Sequence, residues 1–191
     1  MEVKQALKWI DGFAQKVVAE QAYLSELDTP IGDGDHGGNM ARGLEAVLAK
    51  LEEGPADTTD QLFQVTAMQL ISTVGGASGP LYGSAFMGMA KTAKTEASDV
   101  ELFQAGLDMI VKRGKAAVGE KTMVDVWTGV ISLLKEGALN HEAIDQLVEA
   151  SKDIQATKGR ASYVGERSIG HIDPGSYSSG LLFHAYLDSQ D

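Results

Sequence analysis

Apolar residues recur at three- and four-residue intervals along most of the chain, and no stretch shows the strict alternation of a half-buried strand. This pattern restricts the chain to an all-α fold. In the first segment Val3, Leu7, Ile10, Ala14, Val17, Val18 and Leu24 share one helical face. A second helix is expected from about Asn39 to Glu53, ending at Gly54-Pro55. A third starts near Asp57 and carries Leu62, Val65, Met68 and Ile71, and a fourth covers Leu81 to about Lys94. Ser98 and Glu101 form a capping box for a fifth, with Phe103, Leu107, Ile110 and Val111 inward. Thr122 and Asp125 cap a sixth with Val126, Val130, Leu133 and Leu134; Asn140 caps a seventh with Ile144, Leu147, Val148 and Ile154. The last runs from about Ser179 to Leu187. Eight helices with short connections predict an antiparallel up-and-down bundle.

In such a topology the connections after helices one, three, five and seven share one end. They contain Asp28 to Gly38, Gly75 to Pro80, Gly119 to Met123 and Gly159 to Ser179, where the glycine-rich and polar signals concentrate. The other connections read as plain turns. One end of the bundle is therefore the expected site. The length of 191 residues suits a single domain, 1–191. With no cysteine, thiolate metal sites and cysteine nucleophiles are excluded. The amphipathic start MEVKQALKWIDGF is not a signal peptide, and no run is apolar enough to span a membrane. A cytoplasmic protein is expected. The net charge of -11 argues against direct nucleic-acid or anionic-membrane binding.

The segment LDTPIGDGDHGGNM places Asp28, Asp33 and Asp35 within eight positions. Carboxylates this close repel unless a cation neutralises them, and their oxygens suit a hard ion. An EF-hand does not fit: counting from Asp33, the fifth position is Gly37 and the twelfth is Leu44. Magnesium fits better, because it takes much of its shell from water and phosphate. His36, Gly37, Gly38 and Asn39 open the second helix, whose amides favour phosphate. GGASGPLYG, from Gly75 to Gly83, is a second glycine-rich helix start but lacks the lysine of a Walker A loop. The final loop holds Arg160, Arg167, His171 and Asp173-Pro174-Gly175, and an arginine there is suited to phosphate. Trp9 and Trp127 read as core, His141 as first-turn surface and His184 as a helix-face residue. Gly83, Gly88, Gly106, Gly114 and Gly129 interrupt helical patterns, as glycines do where helices pack closely or backbone approaches a ligand. No general base stands out.

GDGDHGGNM, GGASGPLYG and GRASYVGERSIGHIDPGS, in this order, resemble the L domain of the dihydroxyacetone kinase family over nearly the whole chain. The resemblance implies an eight-helix barrel with nucleotide at one end and two magnesium ions held by Asp28, Asp33 and Asp35. It implies phosphate contacts from His36 through Asn39 and from Ala77 and Ser78. It also implies contacts near base or ribose from Gly114, Met123, Arg160 and the turn Asp173, Pro174 and Gly175. Gly34 stands where some relatives carry alanine, a change expected to be without consequence. The family has fused forms, in which ATP exchanges, and separate L subunits, in which ADP is a tightly held coenzyme. A chain this short has no room for the K domain, so the separate form is expected. There, ADP is rephosphorylated by a phosphohistidine on an M subunit, fed from phosphoenolpyruvate. The resulting ATP phosphorylates dihydroxyacetone held on a K subunit. Some relatives also contact a transcription regulator. The alternatives are a free-standing ATP-dependent kinase, a nucleotide-responsive regulatory module and a plain metal-binding bundle.

Overall fold

A computed structural model describes residues 1–190; Asp191, the last residue of the expected domain, lies outside them. The described residues form nine α-helices and no strand: α1 (Val3–Ala19), α2 (Gln21–Asp28), α3 (His36–Glu53), α4 (Thr59–Thr73), α5 (Ser78–Thr92), α6 (Asp99–Gly114), α7 (Met123–Lys135), α8 (His141–Glu149) and α9 (Pro174–Asp188). Two 3-10 segments, Ala150–Asp153 and Arg160–Ser168, lie between α8 and α9. Among the described residues no helix is long and apolar enough to cross a membrane.

The all-α expectation holds, with several local differences; Ile154, expected on the seventh helix, lies beyond α8, which ends at Glu149. The first expected helix is two, because the backbone leaves helical geometry at Glu20 (φ -100°, ψ 10°). The last helix begins at Pro174, earlier than expected. The Asp173 carboxylate accepts the Ser176 amide, and Pro174 takes the first helical position, where a missing N–H costs nothing. The buried face of α4 is Leu62, Phe63, Thr66, Ala67 and Leu70, which leaves Met68 and Ile71 about half exposed. Apolar residues on both sides of this helix made its orientation ambiguous from periodicity alone.

Helix α1 packs on α3 and α9, α3 on α4, α4 on α5, α5 on α6, α6 on α7, and α7 on α9, closing a ring. Helix α8 lies against α7 and α9. Aromatic side chains fill the interior. The Trp9 ring has Phe63, Phe86, Phe103 and Tyr186 at centroid distances of 5.4 to 5.9 Å, and its Nε1–H donates to the Leu182 carbonyl at 2.8 Å. Such pairs contribute about 0.5–1.5 kcal/mol each beyond area burial. Both tryptophans are fully buried, as expected for core residues. Glycine lets the walls close up: a Cβ on Gly88 of α5 would lie 2.5 Å from the Ala105 carbonyl oxygen of α6. One on Gly83 would lie 2.3 Å from Ile71 of α4.

Candidate functional site

The loop after α2 folds back on itself through one carboxylate. Asp28 Oδ2 accepts the backbone amides of Asp35 (3.1 Å) and His36 (3.3 Å), which anchors the start of α3 to the end of α2. Gly34, between the two other aspartates, has φ +75°, a conformation that side-chain-bearing residues enter with strain. Alanine at this position would therefore not be neutral in this chain, contrary to the sequence expectation. As a result one carboxylate oxygen from each of Asp28, Asp33 and Asp35 lies within 4.8 Å of the others. Partial desolvation raises the Asp33 pKa, and Asp35 and Asp28 add to this while Arg160 opposes it. All-oxygen, strongly anionic and partly open, this donor set fits a hard divalent cation.

The acidic trio lies in a hollow at one end of the barrel. The walls come from all four of the connections singled out by sequence, with Asn39 and Lys158 just outside two of them: Ile31; Gly75, Gly76, Ala77 and Ser78; Lys121, Thr122 and Met123; and Gly159, Arg160, Ala161, Asp173, Pro174 and Gly175. Leu81 and Tyr82 of α5 line it as well. Of the residues expected at the site, Asp28, Asp33, Asp35, His36, Asn39, Ala77, Ser78, Met123, Arg160, Asp173, Pro174 and Gly175 all line this hollow. Gly37, Gly38 and Gly114 are not among the lining residues. Gly37 is a packing residue, since a Cβ there would lie 1.9 Å from the Gln21 carbonyl oxygen of α2. Gly38 faces open space, and Gly114 packs beside Leu81.

His36 occupies an unexpected position. Its imidazole is turned inward, with Nδ1 3.0 Å from Ser78 Oγ and Nε2 3.0 Å from Ser178 Oγ. Burial pushes its pKa down to about 4, against the pull of Asp28 and Asp35, so the ring is neutral near pH 7. The chain continues inward: Tyr82 Oη lies 2.8 Å from Ser178 Oγ and 3.0 Å from Ser179 Oγ, and Trp127 Nε1–H donates to Ser179 at 3.2 Å. This network ties the first residue of α3 to α5, α7 and α9. Arg160 reaches the carboxylate end of the hollow, where Nη1 lies 2.6 Å from Asp33 Oδ2.

Lys121, which the sequence reading did not single out, is 1% exposed and has φ +61°. Its ammonium donates to the carbonyls of Ser151 (2.6 Å) and His171 (2.5 Å), joining the loop before α7 to both segments that precede α9. Burial lowers its pKa, opposed by Asp173 and Asp153. Burial also raises the Asp173 carboxyl to about 6, despite its bonds to Ser176 and the charge of Lys121. A lone lysine before a capped helix carries no periodic signal. Its role depends on two carbonyls 30 and 50 residues away.

The DAK2 domain model matches residues 30–188. The chain is 50% identical over 188 residues to the PTS-dependent dihydroxyacetone kinase ADP-binding subunit DhaL of Lactococcus lactis, covering 98% of each chain. It is 52% identical over 190 residues to the PEP-dependent dihydroxyacetone kinase 1 ADP-binding subunit DhaL of Listeria innocua, covering 97% of this chain and 96% of that one. The crystal structure of the dihydroxyacetone kinase of C. freundii superposes with a TM-score of 0.77 at 23% identity. The match covers 98% of this chain and 34% of the larger enzyme.

Proposed function

We propose a function that proceeds from one fact: the chain belongs to the DAK2 domain family. It is the ADP-binding subunit of a phosphoenolpyruvate-dependent dihydroxyacetone kinase, and it carries its nucleotide as a tightly held coenzyme. The observation that carries this reading is the convergence of Asp28, Asp33 and Asp35 with three further loops on a single hollow. Identities of 50% and 52% to DhaL subunits support the ADP-binding-subunit reading.

In this reading the aspartate trio holds two magnesium ions, which would supply charge neutralisation for the phosphate oxygens. The chain's own residues do the positioning. Asn39, Ala77 and Ser78 face the phosphates, and Met123 with Asp173, Pro174 and Gly175 forms the wall for ribose and base. Arg160, already at the acidic end, has both Asp33 and phosphate oxygens within its reach and is assigned to the phosphates rather than the base. Both ring nitrogens of His36 are engaged by serines, so His36 acts as a brace for α3 and not as a base. No residue of this chain is assigned a proton-transfer role. The donor is a phosphohistidine on an M subunit, and the acceptor dihydroxyacetone is held on a K subunit, in the cytoplasm.

Native mass spectrometry of the purified protein tests the coenzyme reading. Retention of ADP with two magnesium ions after extended dialysis is the expected result; complete loss of nucleotide favours an exchanging ATP-dependent kinase. Separate alanine replacement of Asp28, Asp33 and Asp35 should abolish retention. Wild-type occupancy in all three variants would refute the metal assignment.

A further inference from the structure

At the end of the barrel remote from the hollow, two histidines meet edge to edge. His141, the first residue of α8, and His184, in the C-terminal half of α9, have Nδ1 atoms 2.8 Å apart. Their ring planes lie within 10° and their centroids are 5.0 Å apart, which places the two nitrogens between the ring centres. Each outer nitrogen faces a carboxylate on the opposite helix. His184 Nε2 lies 3.0 Å from Asp145 of α8, and His141 Nε2 lies 3.4 Å from Asp188 of α9. The pattern is reciprocal: each helix contributes a histidine and, four residues later, the aspartate that serves its neighbour's histidine. Lys16 of α1 holds the other Asp188 oxygen at 2.9 Å.

A proton count decides what this cluster needs. Two neutral imidazoles carry two N–H groups, one each. Directing both to the carboxylates leaves two lone pairs facing each other at 2.8 Å, which is repulsive. Directing one inward leaves an outer lone pair against a carboxylate. Three protons on four nitrogens satisfy every contact, and a fourth would set two N–H groups head to head. An ion in line between the nitrogens would require them about 4 Å apart, given metal–imidazole bonds near 2 Å. The gap fits a proton.

We propose that His141 and His184 share a single excess proton, forming a pH-sensitive latch that ties α8 to α9 and engages only between two titration steps. Burial lowers the His184 pKa most; Asp145 opposes this, and His141 and Lys16 add to the lowering. Asp145 of α8, Asp188 of α9 and Lys16 of α1 are charged groups set against the pair. The latch bears on the site end, because α8 leads into Ser151 and Asp173 caps the start of α9. The Ser151 hydroxyl accepts the Asp173 amide at 3.1 Å, so the same two strands of chain are joined at both ends.

The test is imidazole 15N NMR of the full chain, metal-free, across pH. The expected result is two steps sensed by both rings, separated by more than about one pH unit, as for coupled sites. Amide exchange in α8 should be about two- to fivefold slower between the steps than on either side, the scale of an exposed ion pair. His141→Asn should leave His184 with a single step, and Asp145→Asn should lower the upper step. Independent single steps in both rings, unaltered by replacement of the partner, would overturn the proposal. So would zinc binding that requires both histidines and opens the pair. Should His141→Asn fail to fold, the wild-type titration and Asp145→Asn decide the matter.

Discussion

Among the three acidic residues, Asp28 is the one whose position the backbone sets. Its two amide bonds orient it before any cation arrives, whereas Asp33 is steadied by the exposed Arg160. Replacing Arg160 with alanine should therefore leave folding stability within about 0.5 kcal/mol of wild type, since exposed ion pairs contribute little. Nucleotide retention should fall, and urea unfolding beside calorimetric ADP titration separates the two effects. Asp173 makes the opposite case. Its folded pKa of about 6 lies above the ordinary 3.8, so the folded state binds more protons across that interval. Its contribution to stability is present below pH 3.8 and is lost as pH rises through about 6. Asp173→Asn keeps an N-cap without the titration. The stability of wild type relative to this variant should drop by roughly 3 kcal/mol over that window in nucleotide-free protein. An unchanged difference from pH 4 to pH 6.5 would remove burial as the cause.

Helix ends were the elements most legible in advance, because caps are local. Ser98 with Glu101 and Thr122 with Asp125 both form complete capping boxes, and Asn140 accepts the Ala143 amide. Helix faces were less legible: Val111 is 38% exposed although its neighbours Leu107 and Ile110 are buried. The glycines divide by partner rather than by sequence. Gly88→Ala would press a methyl group on the backbone of α6, which cannot rotate away, and should destabilise by about 1–3 kcal/mol. Gly38→Ala, within α3 and facing open space, should stabilise the nucleotide-free protein by up to about 1 kcal/mol. Thermal or urea unfolding of the pair checks the contrast, and a destabilised Gly38→Ala would show that α3 is constrained there by something other than packing.

At the scale of the molecule, four connections distant in sequence close over one end, so ligand and fold should be linked. Because the carboxylates repel each other without a cation, ADP and magnesium together should raise the melting temperature in proportion to ln(1 + [L]/Kd), while ADP with a chelator should not. Differential scanning fluorimetry with each component omitted in turn reads this directly. Equal shifts with and without magnesium would separate nucleotide binding from the aspartate trio.

Helical periodicity, caps and the spacing of Asp28, Asp33 and Asp35 were enough to define an all-α chain with an acidic loop at one end, because each depends on residues a few positions apart. The tertiary structure decided the rest. It turned His36 inward between Ser78 and Ser178, brought Arg160 to Asp33, buried Lys121 against Ser151 and His171, and set His141 against His184. Each of these contacts joins residues at least 30 positions apart. Their partners are set by which helices become neighbours in the ring, a global property that no local pattern carries.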